Sequence, residues 1–256
     1  MKLPELCAPN LETLDLSLCK NLVTIHKSVG LLDKLQAWNL DRCAKLQNLP
    51  NSLRLKSLKE FFLTDCSSLK KFPDIHLEMK CLENLDLSGS GILELPSSIG
   101  YLTGLKSLDL EYCHNLRDVP DSIYKLQLLE DLYIPTAKLR PVCSSFDGFS
   151  GYGFLRLDCL DFRRSKNIIE LDLLIKFNYF PALKHLFLSG TNIVSIPESV
   201  SKFTTLEILE INNCKQLREI PRLPQSIRLV NAKGCLSLDQ QSSSRLLNQV
   251  SLFFKL

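Results

Sequence analysis

One short phrase recurs along the chain and limits the possible folds more than any other feature. The template LxxLxLxxCxxLxxLP matches ten segments, which begin at Leu11, Leu35, Leu58, Leu82, Leu105, Leu129, Leu157, Leu183, Leu206 and Ile227. The spacing is 23 or 24 residues through the first six segments. A period in this range is typical of a solenoid, in which each repeat is one supersecondary unit stacked on the next.

The LxL part of the template alternates between apolar and other residues, which predicts a short half-buried strand. Six prolines (Pro50, Pro73, Pro96, Pro120, Pro197 and Pro221) should begin a short helical or 3₁₀ return, because proline suits a first helical turn. One unit cannot bury its own leucines, whereas stacked units bury a continuous core. We therefore predict an α/β leucine-rich-repeat solenoid, curved, with a parallel sheet on its concave face and the returns on its convex face.

This fold places the strands around Leu14, Trp38, Phe61, Leu85 and Leu108 side by side in register. We expect residues 1–256 to form a single domain of about ten repeats, interrupted by an irregular insertion at 135–156. Residues 239–256 should form either a helical cap or the stub of a further domain, and Phe253 and Phe254 have no role in the template. The first turn, near Leu3, Leu11 and Leu14, has no polar cap, so it should expose leucine or pack on something outside this sequence.

The cysteine of the template follows each strand, where the turning backbone leaves peptide groups that need partners. Other occupants of this slot are small: Ser90, Ala137, Ser165 and Thr191. Cysteine is a small hydrophobe with a weak S–H donor, so it can fill the slot and bond a carbonyl. The proline follows a cysteine after seven residues but follows Ser90 or Thr191 after six. The alternative is a metal or redox site at Cys19, Cys43 and Cys66, although the paired CxxC spacing of zinc sites is absent.

Composition narrows the function classes. The net charge of +3 is too small to indicate nucleic acid or membrane as a partner, and no run approaches a membrane helix in length. The amino terminus lacks the apolar centre of a signal peptide, and Asn-x-Ser/Thr never occurs. These features predict a reducing, cytoplasmic setting, with the nucleus as an alternative.

The repeat at 89–132, GSGILELPSSIGYLTGLKSLDLEYCHNLRDVPDSIYKLQLLEDL, closely resembles those of plant intracellular nucleotide-binding leucine-rich-repeat (NLR) disease-resistance proteins of the TIR class. Alternating C-x-x-L-x-x-[LVF]-P and [ST]-x-I-x-x-[LI]-P units carry the resemblance, which covers nearly the whole chain. It implies a module that senses a pathogen effector or a guarded host protein. It also implies restraint of the parent receptor through its NB-ARC and TIR domains. No GxxxxGK[ST] phosphate loop occurs, so the family's nucleotide binding and NAD⁺ cleavage do not extend to this chain.

Residues beside the inward leucines should face solvent on the concave sheet, and some of them should contact a partner. The candidates are Phe62, Asp86, Asp109, Glu111, Tyr112, Tyr133, Arg163, Phe187 and Glu210. Outward Phe62, Tyr133 and Phe187 break the polar expectation for an exposed strand, and aromatic residues are frequent at interface hot spots. They could equally pack on ladder neighbours. The acidic residues favour a basic partner or form a solvated face.

Two other surfaces are candidates. A basic flank follows the strands and consists of Lys20, Lys45, Lys70, Lys71, Arg117, Lys215 and Arg218. It could dock an acidic face of a nucleotide-binding domain or serve solubility. The insertion carries Phe146, Phe149 and Tyr152, which could recognise a partner or tuck against neighbouring returns.

No enzymatic function finds support, since the four histidines have no nucleophile or acid at a recognisable spacing. No cofactor or metal is expected. The alternative function is a generic intracellular leucine-rich-repeat scaffold for signalling proteins.

Overall fold

The computed structural model describes residues 1–134, 153–163 and 179–249. Within these ranges the chain forms two compact units. Met1–Leu129 make up the first unit, and the described residues from Glu130 onward make up the second. Each unit is a run of solenoid turns, as the repeat predicts.

The first unit carries a parallel sheet of five three-residue strands. They are β2 (Thr13–Asp15), β4 (Ala37–Asn39), β6 (Glu60–Phe62), β8 (Asn84–Asp86) and β9 (Ser107–Asp109). Leu14, Trp38, Phe61, Leu85 and Leu108 pair in this order across the sheet. The predicted register is therefore confirmed.

The second unit repeats the arrangement. Its strands are β10 (Asp131–Tyr133), β11 (Cys159–Asp161), β12 (His185–Phe187), β13 (Ile208–Glu210) and β14 (Leu229–Asn231), again parallel. The central residues Leu132, Leu160, Leu186, Leu209 and Val230 pair across it and are buried. Phe154 stacks on Phe180 with ring centroids 5.7 Å apart, so Phe154 is a core residue of this unit.

The returns contain little helix. Five-residue 3₁₀ segments occupy Lys27–Leu31, Ser97–Tyr101, Asp121–Lys125 and Glu198–Lys202. Pro96, Pro120 and Pro197 lie one residue before such a segment, in extended backbone, and not inside its first turn. The position predicted for these prolines is therefore wrong by one residue, and their role is to fix an extended entry into the return.

Three returns depart from the prediction altogether. After Pro50 and Pro73 the chain forms the two-residue strands β5 (Ser52–Leu53) and β7 (Asp74–Ile75), which pair with each other. After Pro221 neither helix nor strand forms before β14. The strands β1 (Lys2–Leu3) and β3 (Thr24–Ile25) make a further parallel pair in the first turn.

One α-helix, α1 (Gln240–Gln249), follows the last strand of the second unit. The carboxylate of Asp239 caps its amino end by accepting the Ser242 amide, 2.5 Å away. Ser242 and Leu246 are buried, and the Ser242 hydroxyl accepts the amide of Ile220 at 3.0 Å. Phe253 and Phe254 lie outside the described residues.

The core of the first unit consists of stacked leucines with one aromatic column. Trp38 stacks on Phe61 with ring centroids 4.6 Å apart, and Phe72 tilts against Phe61 at 6.1 Å. By contrast, Leu11 and Leu14 in the first turn are only half-buried, whereas Leu108 is fully buried at the position equivalent to Leu14. The first turn thus exposes leucine as predicted.

Candidate protein-binding surface

The cysteine slot has a structural role that its position predicts. Five of the six slot cysteines in the described ranges donate to a carbonyl of the preceding turn. These bonds join Cys43 to Leu16 (3.1 Å), Cys66 to Leu40 (3.2 Å), Cys113 to Leu87 (3.0 Å), Cys214 to Leu188 (3.2 Å) and Cys235 to Ile211 (2.9 Å). The predicted bond to a carbonyl is confirmed, and the structure adds that it crosses to the neighbouring turn.

Burial fixes the protonation of most of these thiols. It raises the pKa of Cys43 to about 11, of Cys66 to about 12 and of Cys113 to about 11, so they remain donors at neutral pH. Cys214 differs, because the neighbouring Cys235 thiol, which can donate a hydrogen bond to its sulfur, lowers the pKa of Cys214. The cysteines of the described ranges are free thiols. In the same ranges no group of three or more His, Cys, Asp or Glu side chains is placed to hold a metal.

The slot also explains the extra residue in the cysteine units. The residue before the slot has a positive φ in each of these turns, as at Arg42 (59°) and Gly89 (65°). In a cysteine unit the slot carbonyl then accepts an amide three residues later, as from Leu46 to Cys43 (2.9 Å). Around Ser90 the amide of Gly91 bonds instead to Cys66 in the preceding turn, 3.1 Å away. The cysteine units therefore contain an additional tight turn, which takes the extra residue.

The outward residue at the end of each sheet strand forms a column along each unit, here called the face column. In the first unit it reads Asp15, Asn39, Phe62, Asp86 and Asp109, and in the second Tyr133, Asp161, Phe187, Glu210 and Asn231. These residues pair in register within each unit. The column is the surface on which sequence reasoning places the binding residues.

Half of the face-column side chains accept a hydrogen bond from the backbone. At five positions a side-chain oxygen accepts the amide two residues further on, which closes an Asx turn at the strand exit. They are Asp15 (2.8 Å), Asn39 (2.9 Å), Asp86 (2.8 Å), Asp109 (2.7 Å) and Asp161 (2.8 Å). Asp86 and Asp109, both candidate contact residues, therefore hold the turn as well as carrying charge.

Elsewhere in the column the preceding turn supplies the acceptor. The Asp41 carboxylate accepts the Thr64 amide (3.0 Å), so this amide needs no acceptor at position 62 and the position can hold Phe62. In the second unit Ser189 accepts the amide of Asn212 (2.9 Å), and Asn212 accepts that of Lys233 (2.8 Å). Because a side chain of the preceding turn accepts the amide at each of these strand exits, Phe62, Glu210 and Asn231 are not needed to close the turn.

Sequence reasoning missed the three acceptors Asp41, Ser189 and Asn212. A signal existed for Asp41 and Ser189, because each precedes, by about one repeat, a strand whose face-column residue, Phe62 or Glu210, cannot close an Asx turn. No such signal existed for Asn212, since the face-column residue of the next strand is Asn231, which can close one. Tyr133 needs no acceptor of this kind, because the residue two positions later is Pro135, which has no amide hydrogen.

Phe187 lies at the centre of a polar cluster in the second unit. The Arg163 guanidinium lies over its ring, 5.3 Å from the centroid, and His185 stacks beside it at 6.3 Å. Arg163 Nε donates to Asp161 Oδ2 at 2.7 Å, and Asp161 is buried. Phe187 thus packs on ladder neighbours, one of the two roles considered for the outward aromatics, and remains half-exposed.

The remaining candidates are spread more widely. Glu111 and Tyr112 follow β9, where Tyr112 has a positive φ (59°), is 51% exposed and meets His114 edge to face. Glu210 accepts the hydroxyl of Ser189 at 2.8 Å. The insertion residues Phe146, Phe149 and Tyr152 lie outside the described residues.

The residues of the basic flank are exposed in both units. Acidic residues share the flank in the first unit, since single backbone β-bridges align Lys71 with Glu94 and Glu94 with Asp118 in successive turns. The flank is therefore mixed in charge, which weakens its attraction for an acidic surface. No helix in the described part of the chain is long and apolar enough to span a bilayer.

Parallel strands in register, buried inward leucines and 3₁₀ returns together define a leucine-rich-repeat protein. A family model described as "Disease resistance protein RPS4B-like, leucine-rich repeats" matches residues 54–251, and the chain belongs to this family. The TMV resistance protein N of Nicotiana glutinosa is 29% identical over 265 aligned positions, which cover 86% of this chain. Disease resistance protein RPS4B of Arabidopsis thaliana is 28% identical over 90% of this chain.

The chain spans only part of these relatives, 23% of the N protein and 18% of RPS4B. Among solved structures, the leucine-rich repeat domain of the type III effector XopL is 21% identical, with a TM-score of 0.49, over 88% of this chain and 69% of that domain.

Proposed function

We propose that this chain is the partner-recognition part of an intracellular plant immune receptor, acting in the cytoplasm. Its ligand is a pathogen effector or a guarded host protein, held on the sheet faces. The rest of the receptor, comprising the NB-ARC and TIR domains, converts this contact into a signal. The proposal is supported by membership of a disease-resistance repeat family and by the names of the relatives.

One observation carries the assignment of the ligand to the sheet faces. The side chains of Asp41, Ser189 and Asn212 accept the strand-exit amide of the following turn. Where a side chain of the preceding turn accepts this amide, the face-column residue is not needed as its acceptor. Phe62 and Glu210 are then available for contact with another protein. Half-exposed aromatic residues such as Phe62 are frequent anchors of protein interfaces.

The basic flank is a weaker candidate for contact with the NB-ARC domain, because acidic residues are interspersed in it. We assign restraint of the receptor to this flank and ligand recognition to the sheet faces. The two assignments are separable by mutation, since the flank lysines and the face column share no residue.

A two-hybrid screen of pathogen effectors tests the proposal. One counter-screen uses the chain carrying Phe62→Ala and Glu210→Ala, and a matched control uses Lys45→Ala and Lys70→Ala on the flank. A recognised effector should bind the wild type and the flank variant alike. Its affinity for the face variant should be at least about tenfold lower, which is the range of interface hot spots. The proposal would be contradicted if no effector bound the chain, or if every bound effector lost affinity only for the flank variant.

A further inference from the structure

The two outward phenylalanines occupy equivalent sites, but two of the side chains beside their rings differ in charge. Phe62 and Phe187 each lie in the face column. Two residues after each phenylalanine a hydroxyl donates to a carboxylate of the following turn. Thr64 donates to Asp86 at 2.9 Å, and Ser189 donates to Glu210 at 2.8 Å. The two sites are therefore the same arrangement in different units.

In the second unit the chain itself supplies a cation to the ring. Arg163 lies over Phe187, 5.3 Å from its centroid, while its guanidinium bonds Asp161. The ring of His185, two residues before Phe187, stacks against the Phe187 ring with centroids 6.3 Å apart. A guanidinium over an aromatic face is an attractive arrangement, and the carboxylate fixes its position.

In the first unit the positions equivalent to Arg163 and His185 carry carboxylates. The register places Asn39 where the second unit has Asp161, and Asp41 where it has Arg163. Glu60 stands at the position of His185. Within the described ranges no cation lies over Phe62, and neither Asp41 nor Glu60 forms an ion pair there.

We propose that the Phe62 site binds an arginine side chain of a protein partner. The guanidinium stacks on the half-exposed Phe62 ring and pairs with Asp41 and Glu60, as Arg163 stacks on Phe187 and pairs with Asp161. Asp41 keeps one carboxylate oxygen on the Thr64 amide and presents the other to the partner. The inference rests on the proposed function and specifies the partner chemistry of one of its two faces.

Arginine fits this site better than lysine. Its planar guanidinium can lie flat on the ring and meet a carboxylate at its edge at the same time, whereas an ammonium is a point charge with a strongly held water shell. Asp86 adds negative charge on the following strand without being needed as a direct partner, because its two oxygens already accept from Ser88 and Thr64.

The test uses a short extended peptide in three versions that carry arginine, lysine or the neutral isostere citrulline at the same positions. Titration calorimetry on the full chain should rank arginine above lysine by at least about threefold, with citrulline weakest. Phe62→Ala should remove the preference for arginine. Asp41→Asn should weaken arginine binding severalfold, and its amide oxygen can still accept the Thr64 amide.

Asp65→Asn is the matched control, since it removes the same charge from an exposed residue that pairs with Arg42 outside the face column. The fluorescence of Trp38, the single tryptophan, reports whether each variant is folded. Equal affinity for arginine and lysine peptides, insensitivity to Phe62→Ala, or no binding of any peptide would overturn the inference. A protein ligand that needs Glu210 but not Phe62 would also overturn it, while leaving the proposed function intact.

Discussion

The stacking of repeats makes a quantitative prediction about two leucines at equivalent positions. Leu14 and Leu108 both occupy the inward centre of a strand in the first unit, but Leu108 is fully buried and Leu14 is half-exposed. Truncation of a buried leucine to alanine costs about 2–5 kcal/mol, which includes the cavity that remains. Leu108→Ala should therefore lower the free energy of unfolding by about 3 kcal/mol. Leu14→Ala should lower it by less, about 1–2 kcal/mol, because the Leu14 side chain is already partly in contact with water.

Urea unfolding followed by Trp38 fluorescence and by far-ultraviolet circular dichroism measures both values. The two variants remove the same atoms from the same kind of strand, so the comparison isolates the contribution of the covering turns. Equal losses of stability, or a larger loss in Leu14→Ala, would refute the reasoning that each repeat is stabilised mainly by its neighbours.

Three further predictions concern buried side chains. Under native conditions a thiol reagent should modify the exposed Cys7 and Cys81 quickly, and Cys43 and Cys66 only at the rate of unfolding; equal rates would contradict their burial. Because the folded pKa values of Cys43 and Cys66 are raised to about 11 and 12, their contribution to stability is complete below pH 9. It should be lost as the pH rises through the folded values, and the loss should shrink in Cys43→Ala and Cys66→Ala. Trp38→Phe should leave stability within about 1 kcal/mol of wild type, since it also removes a buried indole N–H that has no partner; a loss above about 3 kcal/mol would show that the N–H is satisfied.

The sequence predicted the parts of the fold that depend on period alone. Strand register follows from the spacing of Leu14, Trp38 and Phe61, because a slip of one residue would turn the apolar side chains outward. The role of the cysteine slot was also predictable, since its position at the strand exit demands a small side chain with a donor. Each of these inferences uses residues within one repeat.

The form of the returns was not predictable in the same way. Prolines at equivalent positions precede a 3₁₀ segment at Pro96 but a strand at Pro73, so proline fixes only the extended entry. The conformation after the proline depends on the neighbouring return: the Ile75 amide in β7, for example, donates to the hydroxyl of Ser98 in the next turn. Such contacts join residues about one repeat apart, and local propensity carries no information on them.

The same limitation applied to the candidate surface. Sequence reasoning placed Phe62, Asp86 and Asp109 in one outward column and separated them by side-chain type, but not by their hydrogen bonds to the backbone. The structure separates them, because Asp86 and Asp109 close their own turns while the Thr64 amide near Phe62 is accepted by Asp41. The distinction arises from a hydrogen bond to the preceding turn, which a single repeat does not reveal.

Amide hydrogen exchange at Thr64 tests this central claim most directly. In Asp41→Ala the Thr64 amide, 23 residues away along the chain, should exchange at least about tenfold faster, as expected for loss of a hydrogen bond worth about 1.5 kcal/mol. In Asp41→Asn its protection should be retained, and in both variants the Ser88 amide, held by Asp86, should be unchanged. Unaltered protection of the Thr64 amide in Asp41→Ala would contradict the account, because the preceding turn would then not supply the acceptor at the strand exit next to Phe62.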